Sequence, residues 1–432
     1  MILTVKPSSF LRGRIRLPAS KSYSIRAFII AACGGTSTIL DASNSEDGKV
    51  AIHAARSLRA NIVCYQQAQG LKWKVTASGK RACRSLINVR ESGTVLRFLL
   101  PLVALHGKKV TVTGEGTLRG RPNRFLTRAL RGMGVAIRGT GTQESIPVVV
   151  RGGTMTGGTI VIDASLSSQF ISALLIACPQ LSGDSRLVLK GKQLVSSDYI
   201  VMTEKVLRKS GVKIEQRSAR EYKIKGKQNF RGLKNFTVPA DLGLAAFHMA
   251  AAVLTGSDVL LTGAFSNTLV QADGRIFTLL KGMGVALRTN AQGIRIQGPY
   301  VLKGGRFSLA HCPDLVPIMT ILAMFAKGRT FLYDIGHVRS KESDRISDLR
   351  KELLKVGAKI TEEKNSLTIN PRNGYRANCL LDPHHDHRLA MSFSVLGIKL
   401  GVRVKDIECT KKSYPDYVRD LRRMGAVVSF SN

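Results

Sequence analysis

Acidic side chains are scarce in this chain: 29 Asp and Glu stand against 66 Lys and Arg, for a formal charge of +37. The imbalance points to an anionic partner, either a polyanion such as nucleic acid or a small anion. Aromatic residues are also few, at 6 %. The basic residues are dispersed along the whole length without a dense tail, which argues against a dedicated nucleic-acid surface and for a small anion. Nonspecific adhesion to RNA or DNA at low salt needs only charge and is expected. Cysteines number seven, an odd count, and none form a C-x-x-C pair. That excludes a disulfide framework and a zinc knuckle and fits a reducing compartment. The first 20 residues alternate apolar with polar and lack the continuous apolar core of a leader. A soluble, cytoplasmic protein is expected, with no membrane partner.

What the chain does have is length and a repeat. With 432 residues, 44 % of them hydrophobic, it can build two sizeable cores. A basic helix end, a glycine, a small residue and a β-like segment recur with glycines at 134, 211, 284, 357 and 425. Residues 58–62 look like a degraded first copy. Six units of about 72 residues would fill the chain. Each glycine reads as a helix C-cap leading into a strand, a structural role without chemistry. Units of this size are too long for a solenoid and suggest a compact α/β subdomain used six times.

Several segments could carry chemistry. Residues 17–27, LPASKSYSIRA, put a serine-rich turn at a helix start with Lys21 and Arg26, an anion cradle or a plain capped basic helix. In 91–100, Gly93 permits close backbone approach at another helix start. Residues 118–124 place Arg119 and Arg121 before Pro122, which suits the first helical position. Ser167, Ser168 and Gln169, and then Ser196 and Tyr199, offer hydroxyls, an amide and a phenol to a polyol or phosphate. Asp314 lies at the edge of an apolar helix, and 338–345 alternates charge through Lys341, Glu342 and Arg345. Alone, that stretch would read as a salt-bridged helix start. His384, His385 and His387 occupy one short turn without a second ligand cluster, so no metal is expected.

Taken in order, SKSYSIR, ESGTVLR, RP, SSQF, SSDY, PDLVP, RSKESDR, DHRLAM and KKSYPDY resemble the motif series of the 5-enolpyruvylshikimate-3-phosphate synthase family of enolpyruvyl transferases. They run from residue 20 to 417, essentially the whole chain. The resemblance implies an α/β fold, a two-domain inverse α/β barrel built from six repeated βαβαββ units. Residues 1–19 plus 240–432 would form a discontinuous domain carrying the catalytic carboxylates. Residues 20–239 would form an inserted domain carrying most shikimate 3-phosphate contacts, with hinges near 19–21 and 237–240 and the active site in the interdomain cleft. The implied reaction moves the enolpyruvyl group of phosphoenolpyruvate to the 5-hydroxyl of shikimate 3-phosphate, without a cofactor, in a monomer.

Residue by residue, the resemblance makes Lys21 a contact for both substrates. Ser22, Arg26, Ser167, Ser168, Gln169, Ser196, Tyr199, Asp314, His337 and Lys341 would hold shikimate 3-phosphate. Gly93, Arg121, Gln169, Arg345, Arg388 and Lys412 would hold phosphoenolpyruvate. Asp314 would be the base for the hydroxyl and Glu342 the acid for the methylene, with Lys21 stabilising charge or sharing proton transfer. Ile25, Glu91 and His337 depart from the asparagines of better-known members, and Glu91 adds an acid beside an anion site. Retention of Gly93 implies sensitivity to glyphosate. A UDP-N-acetylglucosamine enolpyruvyl transferase would be expected to show a Lys-Asn pair and a cysteine loop where Lys21-Ser22 and Arg121-Pro122 stand. A basic nucleic-acid-binding protein would explain the charge but leave Asp314 and Glu342 without a role.

Overall fold

Each repeat marker closes a helix by the same hydrogen bond. In the computed structural model, which describes residues 1–67, 70–79, 83–153, 155–290 and 292–431, Gly134, Gly211, Gly284, Gly357 and Gly425 all have φ between +82° and +90°. That left-handed turn lets the next N–H reach back five residues: Val135 to Leu130, Val212 to Leu207, Val285 to Leu280, Ala358 to Leu353 and Ala426 to Leu421, all at 2.9–3.1 Å. The two side chains flanking each bond are buried together, so an apolar contact reinforces the cap. The degraded copy keeps the geometry without the glycine. Arg59 takes φ +67° while Ala60 N–H donates to the Ala55 carbonyl at 3.1 Å, at a backbone cost of about 1–2 kcal/mol.

A strand follows each cap, and the described strands form six four-stranded sheets. In residues 86–151, Leu86–Asn88 runs parallel to Lys109–Thr113, which pairs antiparallel with Ser145–Arg151, itself paired with Ala136–Thr140. Residues 158–224 and 306–370 repeat the βαβαββ pattern contiguously. The other three units borrow a strand from far along the chain. Phe10–Arg16 pairs with Gly256–Thr262, Phe236–Thr237 with Thr36–Leu40, and Ile2–Val5 completes the sheet of the C-terminal unit.

The chain divides into two compact units, one of Met1–Pro18, Ala240–Phe265 and Gln271–Asn432, the other of Ala19–Pro239 with Ser266–Val270. Assigning all of 240–432 to the discontinuous unit overlooked Ser266–Val270. The Tyr23 hydroxyl donates to the Val270 carbonyl at 2.6 Å and Leu269 is buried in the core of the inserted unit. Three helices fill each core: α1 (Lys21–Ala31), α2 (Gly93–Ala104) and α3 (Ser168–Ala177) in the inserted unit, α4 (Leu242–Leu254), α5 (Val316–Met324) and α6 (His387–Leu400) in the other. They are apolar nearly all round, and every residue of α5 and all but the first of α4 are buried. Helices therefore lie inside and sheets outside, the inverse of an ordinary barrel. Among the described residues, no helix is long and apolar enough to cross a membrane.

Polar groups inside the discontinuous unit form one buried relay. The Tyr414 hydroxyl donates to Asp420 at 2.8 Å, so its 3.0 Å contact with His248 Nε2 requires the imidazole to be the donor there. Burial pulls the His248 pKa from 6.5 down to about 4. The unfolded chain titrates near 6.5, so the neutral imidazole's contribution is complete above that pH and is lost as pH falls toward 4. Urea denaturation should show His248→Gln, which keeps a donor but cannot titrate, with a pH dependence about 2 kcal/mol shallower between pH 7.5 and 5. Parallel curves for the two proteins would refute this.

Candidate active site

The N-termini of five of the six core helices, all but α4, carry motif residues, so much of the site shares its cause with the fold. Helix starts leave N–H groups without intrahelical partners and carry a positive dipole end. Here Ser20, Ser167, Asp241 and Asp386 cap α1, α3, α4 and α6 through their side chains.

In the inserted unit, Lys21 opens α1 and pairs with Asp47 at 3.0 Å. Arg26 is 1 % exposed. It donates to Thr203 Oγ1 at 2.8 Å and to the Ser22 and Tyr199 carbonyls at 2.9 Å each, beneath the Phe98 and Tyr199 rings. Burial lowers its pKa to about 10, which leaves it charged at neutral pH. Its guanidinium thus braces α1 against the helix Ser197–Lys209 that carries Tyr199. Ser196 caps that helix at φ +55°, a strained conformation of the kind that clusters at functional sites. Ile25 is fully buried in the core, so this departure from asparagine presents no polar group.

Gly93 begins α2, where a Cβ would stand 3.1 Å from Arg121 Nη1. Arg121 donates through Nε to the Thr117 carbonyl at 3.1 Å and through Nη2 to Thr117 Oγ1 at 3.0 Å. Gln169, in the first turn of α3, receives Arg97 Nη1 at 2.6 Å and donates to Thr94 Oγ1 at 2.9 Å. Its neighbour Ser168 is buried. Sequence reading passed over Arg97, although it stands one helical turn after Gly93, where a charge on an otherwise apolar helix signals a partner. It also donates to the Pro122 carbonyl at 3.0 Å, tying α2 to the segment that bears Arg121.

The discontinuous unit holds a denser cluster. Arg345, 1 % exposed, donates to Asp314 at 2.7 Å, to Glu342 at 2.9 Å and to Asp386 at 2.7 and 3.3 Å. Arg388 Nη2 lies 3.0 Å from the second Asp314 oxygen, and its Nη1 donates to the Gly243 carbonyl of α4 at 3.0 Å. Lys341 stands 3.9 Å from Asp314 and Lys412 3.9 Å from Glu342. Burial pushes the Asp314 carboxyl up, but Arg388, Arg345 and Lys341 more than reverse this and hold it well below the usual range. Burial works against the Arg345 charge, and Asp386, Asp314 and Glu342 outweigh it. His337 is brought to about 3 by burial and then by Lys341, against Asp314, so it is neutral. Its Nε2 is buried with no hydrogen-bond partner among the described residues. Asp386 escaped the sequence reading; an aspartate before the helical HRLAM run is an N-cap signal, but its hold on Arg345 is not written locally. The other histidines disperse: His384 lies 3.4 Å from Glu352 and His385 2.7 Å from Asp406.

Four cations thus surround three carboxylates in this set, while the inserted unit presents hydroxyls, an amide and further cations. Phosphate and carboxylate ligands with hydroxyl groups suit that chemistry, and two carboxylates on one guanidinium suit proton transfer.

Comparison with known proteins gives the same direction. The family model for EPSP synthase (3-phosphoshikimate 1-carboxyvinyltransferase) matches residues 5–421. The 3-phosphoshikimate 1-carboxyvinyltransferase of Methanothrix thermoacetophila is 35 % identical over all of both chains. That of Methanococcus vannielii is 34 % identical over 98 % of this chain and 99 % of its own. Among solved structures, EPSP synthase from Acinetobacter baumannii superposes over all of both chains with a TM-score of 0.80 at 26 % identity. The enolpyruvyl transferase NikO from Streptomyces tendae shares the fold, with a TM-score of 0.80 at 19 % identity over 100 % of this chain and 98 % of that one. With its six βαβαββ units, its motif residues at the helix starts and full-length relatives above 30 % identity, the chain belongs to the EPSP synthase family.

Proposed function

We propose that this protein transfers the enolpyruvyl group of phosphoenolpyruvate to the 5-hydroxyl of shikimate 3-phosphate and releases phosphate through a tetrahedral intermediate. The observation that carries the reading is the pair Asp314 and Glu342, each with one oxygen on Arg345. Their other oxygens face different cations, Arg388 at 3.0 Å and Lys412 at 3.9 Å.

The arrangement suggests how a weak base becomes competent. With Arg345, Arg388 and Lys341 around it, Asp314 is deprotonated but poorly basic. A general base works best with a pKa near the working pH. When the phosphoenolpyruvate carboxylate takes up hydrogen bonds from Arg345 and Arg388, their pull on Asp314 weakens and its basicity rises. Asp314 then removes the 5-hydroxyl proton, Glu342 protonates the methylene, and the adjacent carbon accepts the hydroxyl oxygen. The tetrahedral intermediate then returns one methyl proton to Glu342 as its C–O bond to phosphate breaks, which restores the methylene, and Lys21 and Lys412 stabilise the charge on the departing phosphate. Ser22, Ser167, Ser168, Ser196, Tyr199, Lys341 and neutral His337 serve shikimate 3-phosphate. The protein works as a cytoplasmic monomer.

Phosphate release on mixing the protein with both substrates tests this. Turnover is expected with shikimate 3-phosphate and not with UDP-N-acetylglucosamine; the reverse preference, or none, would reject it. Gly93→Ala places a methyl 3.1 Å from Arg121 Nη1, tight enough to shift the guanidinium. Steady-state kinetics should show KM for phosphoenolpyruvate raised about tenfold, with shikimate 3-phosphate little affected. Glyphosate should inhibit the parent protein and lose more affinity than phosphoenolpyruvate in the variant. Equal effects on both substrates would count against Arg121 as the phosphoenolpyruvate contact.

A further inference from the structure

Glu91 brings a carboxylate into the neighbourhood of a guanidinium proposed to bind an anion, an arrangement that would weaken binding unless the carboxylate has other work. Its Oε1 accepts the backbone N–H of Thr117 at 2.6 Å. A Cβ on Gly116 would fall 1.6 Å from that oxygen, so the carboxylate occupies room that only the glycine, at φ +53°, leaves open. Thr117 in turn accepts from Arg121 twice, through its carbonyl at 3.1 Å and its Oγ1 at 3.0 Å. The remaining nitrogen, Nη1, is the one that faces Gly93. Continuous hydrogen bonds therefore run from Glu91 through both ends of Thr117 to two of the three guanidinium nitrogens.

We propose that Glu91 is a positioning residue that fixes Arg121 for phosphoenolpyruvate by anchoring Thr117. This rests on the reading of Arg121 as a phosphoenolpyruvate ligand. The contact with the Thr117 N–H needs an acceptor and not a charge, since that donor is neutral. Glutamine can supply that acceptor, and alanine cannot.

Steady-state kinetics with both substrates varied, on Glu91→Ala, Glu91→Gln, Thr117→Val and Arg121→Ala, tests it. Glu91→Ala should raise KM for phosphoenolpyruvate about tenfold while kcat and KM for shikimate 3-phosphate stay within about twofold. Glu91→Gln should return KM to within about twofold of the parent. Thr117→Val, which loses the Oγ1 acceptor without changing size, should shift KM in the same direction as Glu91→Ala. If Arg121→Ala raises KM but Glu91→Ala does not, the positioning role is wrong while the ligand role of Arg121 stands. No effect of Arg121→Ala overturns both. Should Glu91→Ala not fold, an unchanged KM in Thr117→Val overturns the proposal, as does a Glu91→Gln protein that folds but shows the full tenfold loss.

Discussion

Asp314→Asn is expected to cut turnover by a factor on the order of 1000 while both substrates still bind. The amide can keep the 2.7 Å acceptor contact with Arg345 at the expense of the 3.0 Å contact between the other oxygen and Arg388, and the proton acceptor is lost. Glu342→Gln should cost a similar factor through loss of the acid. The pH profile separates this account from a merely electrostatic one. In the free protein Asp314 is held well below the usual carboxylate range, so kcat/KM should show no acid limb from it above the ordinary carboxylate region. With phosphoenolpyruvate drawing on Arg345 and Arg388, kcat should show an acid limb at higher pH than kcat/KM, because the two profiles report bound and free protein respectively. Near-normal turnover in either variant would refute these roles, and coincident limbs would refute the proposed change in Asp314 basicity.

Arg345→Met should destabilise the protein by about 3–5 kcal/mol, the range for removing one member of a buried ion pair. Asp386 is fully buried and loses its bidentate partner, while Asp314 and Glu342 each lose a hydrogen bond. Uncompensated buried carboxylates favour protonation, so the deficit should shrink as pH falls. Adding Asp386→Asn should restore about 1–2 kcal/mol, because asparagine can still cap α6 but carries no charge to bury. Denaturant unfolding of the two single variants and the double variant measures the coupling. Additive losses would show that Asp386 does not depend on Arg345.

The parts that were legible in the sequence are those with local causes. The marker glycines report a left-handed cap, which any helix of this kind needs whatever its surroundings. Ser167 and Asp314 are written at helix starts, where local chemistry constrains the residue type. The strand exchanges were not legible, because Phe236–Thr237 is two residues long and its partner lies nearly 200 residues away. Leu353 accepts the closing bond from Ala358 in register with the other copies, two residues before its helix ends. Arg26 reads as a ligand in a basic motif, yet its setting among Thr203, Tyr199 and Phe98 depends on two other helices meeting it. Arg97 and Asp386 act through residues 72 and 41 positions away, beyond any local signal.

The borrowed strands constrain the order in which this chain can fold as it leaves the ribosome. Ile2–Val5 and Phe10–Arg16 emerge before the other described strands, but their pairing partners lie beyond residue 250. The inserted unit can assemble most of its sheets by residue 224 and closes its last one when Phe236–Thr237 arrives. The leading segment must therefore wait as an exposed, unpaired ribbon through most of synthesis, and long-range pairing of this kind is slow and open to aggregation. Three arginines on Phe10–Arg16 guard that ribbon against pairing with a second nascent copy.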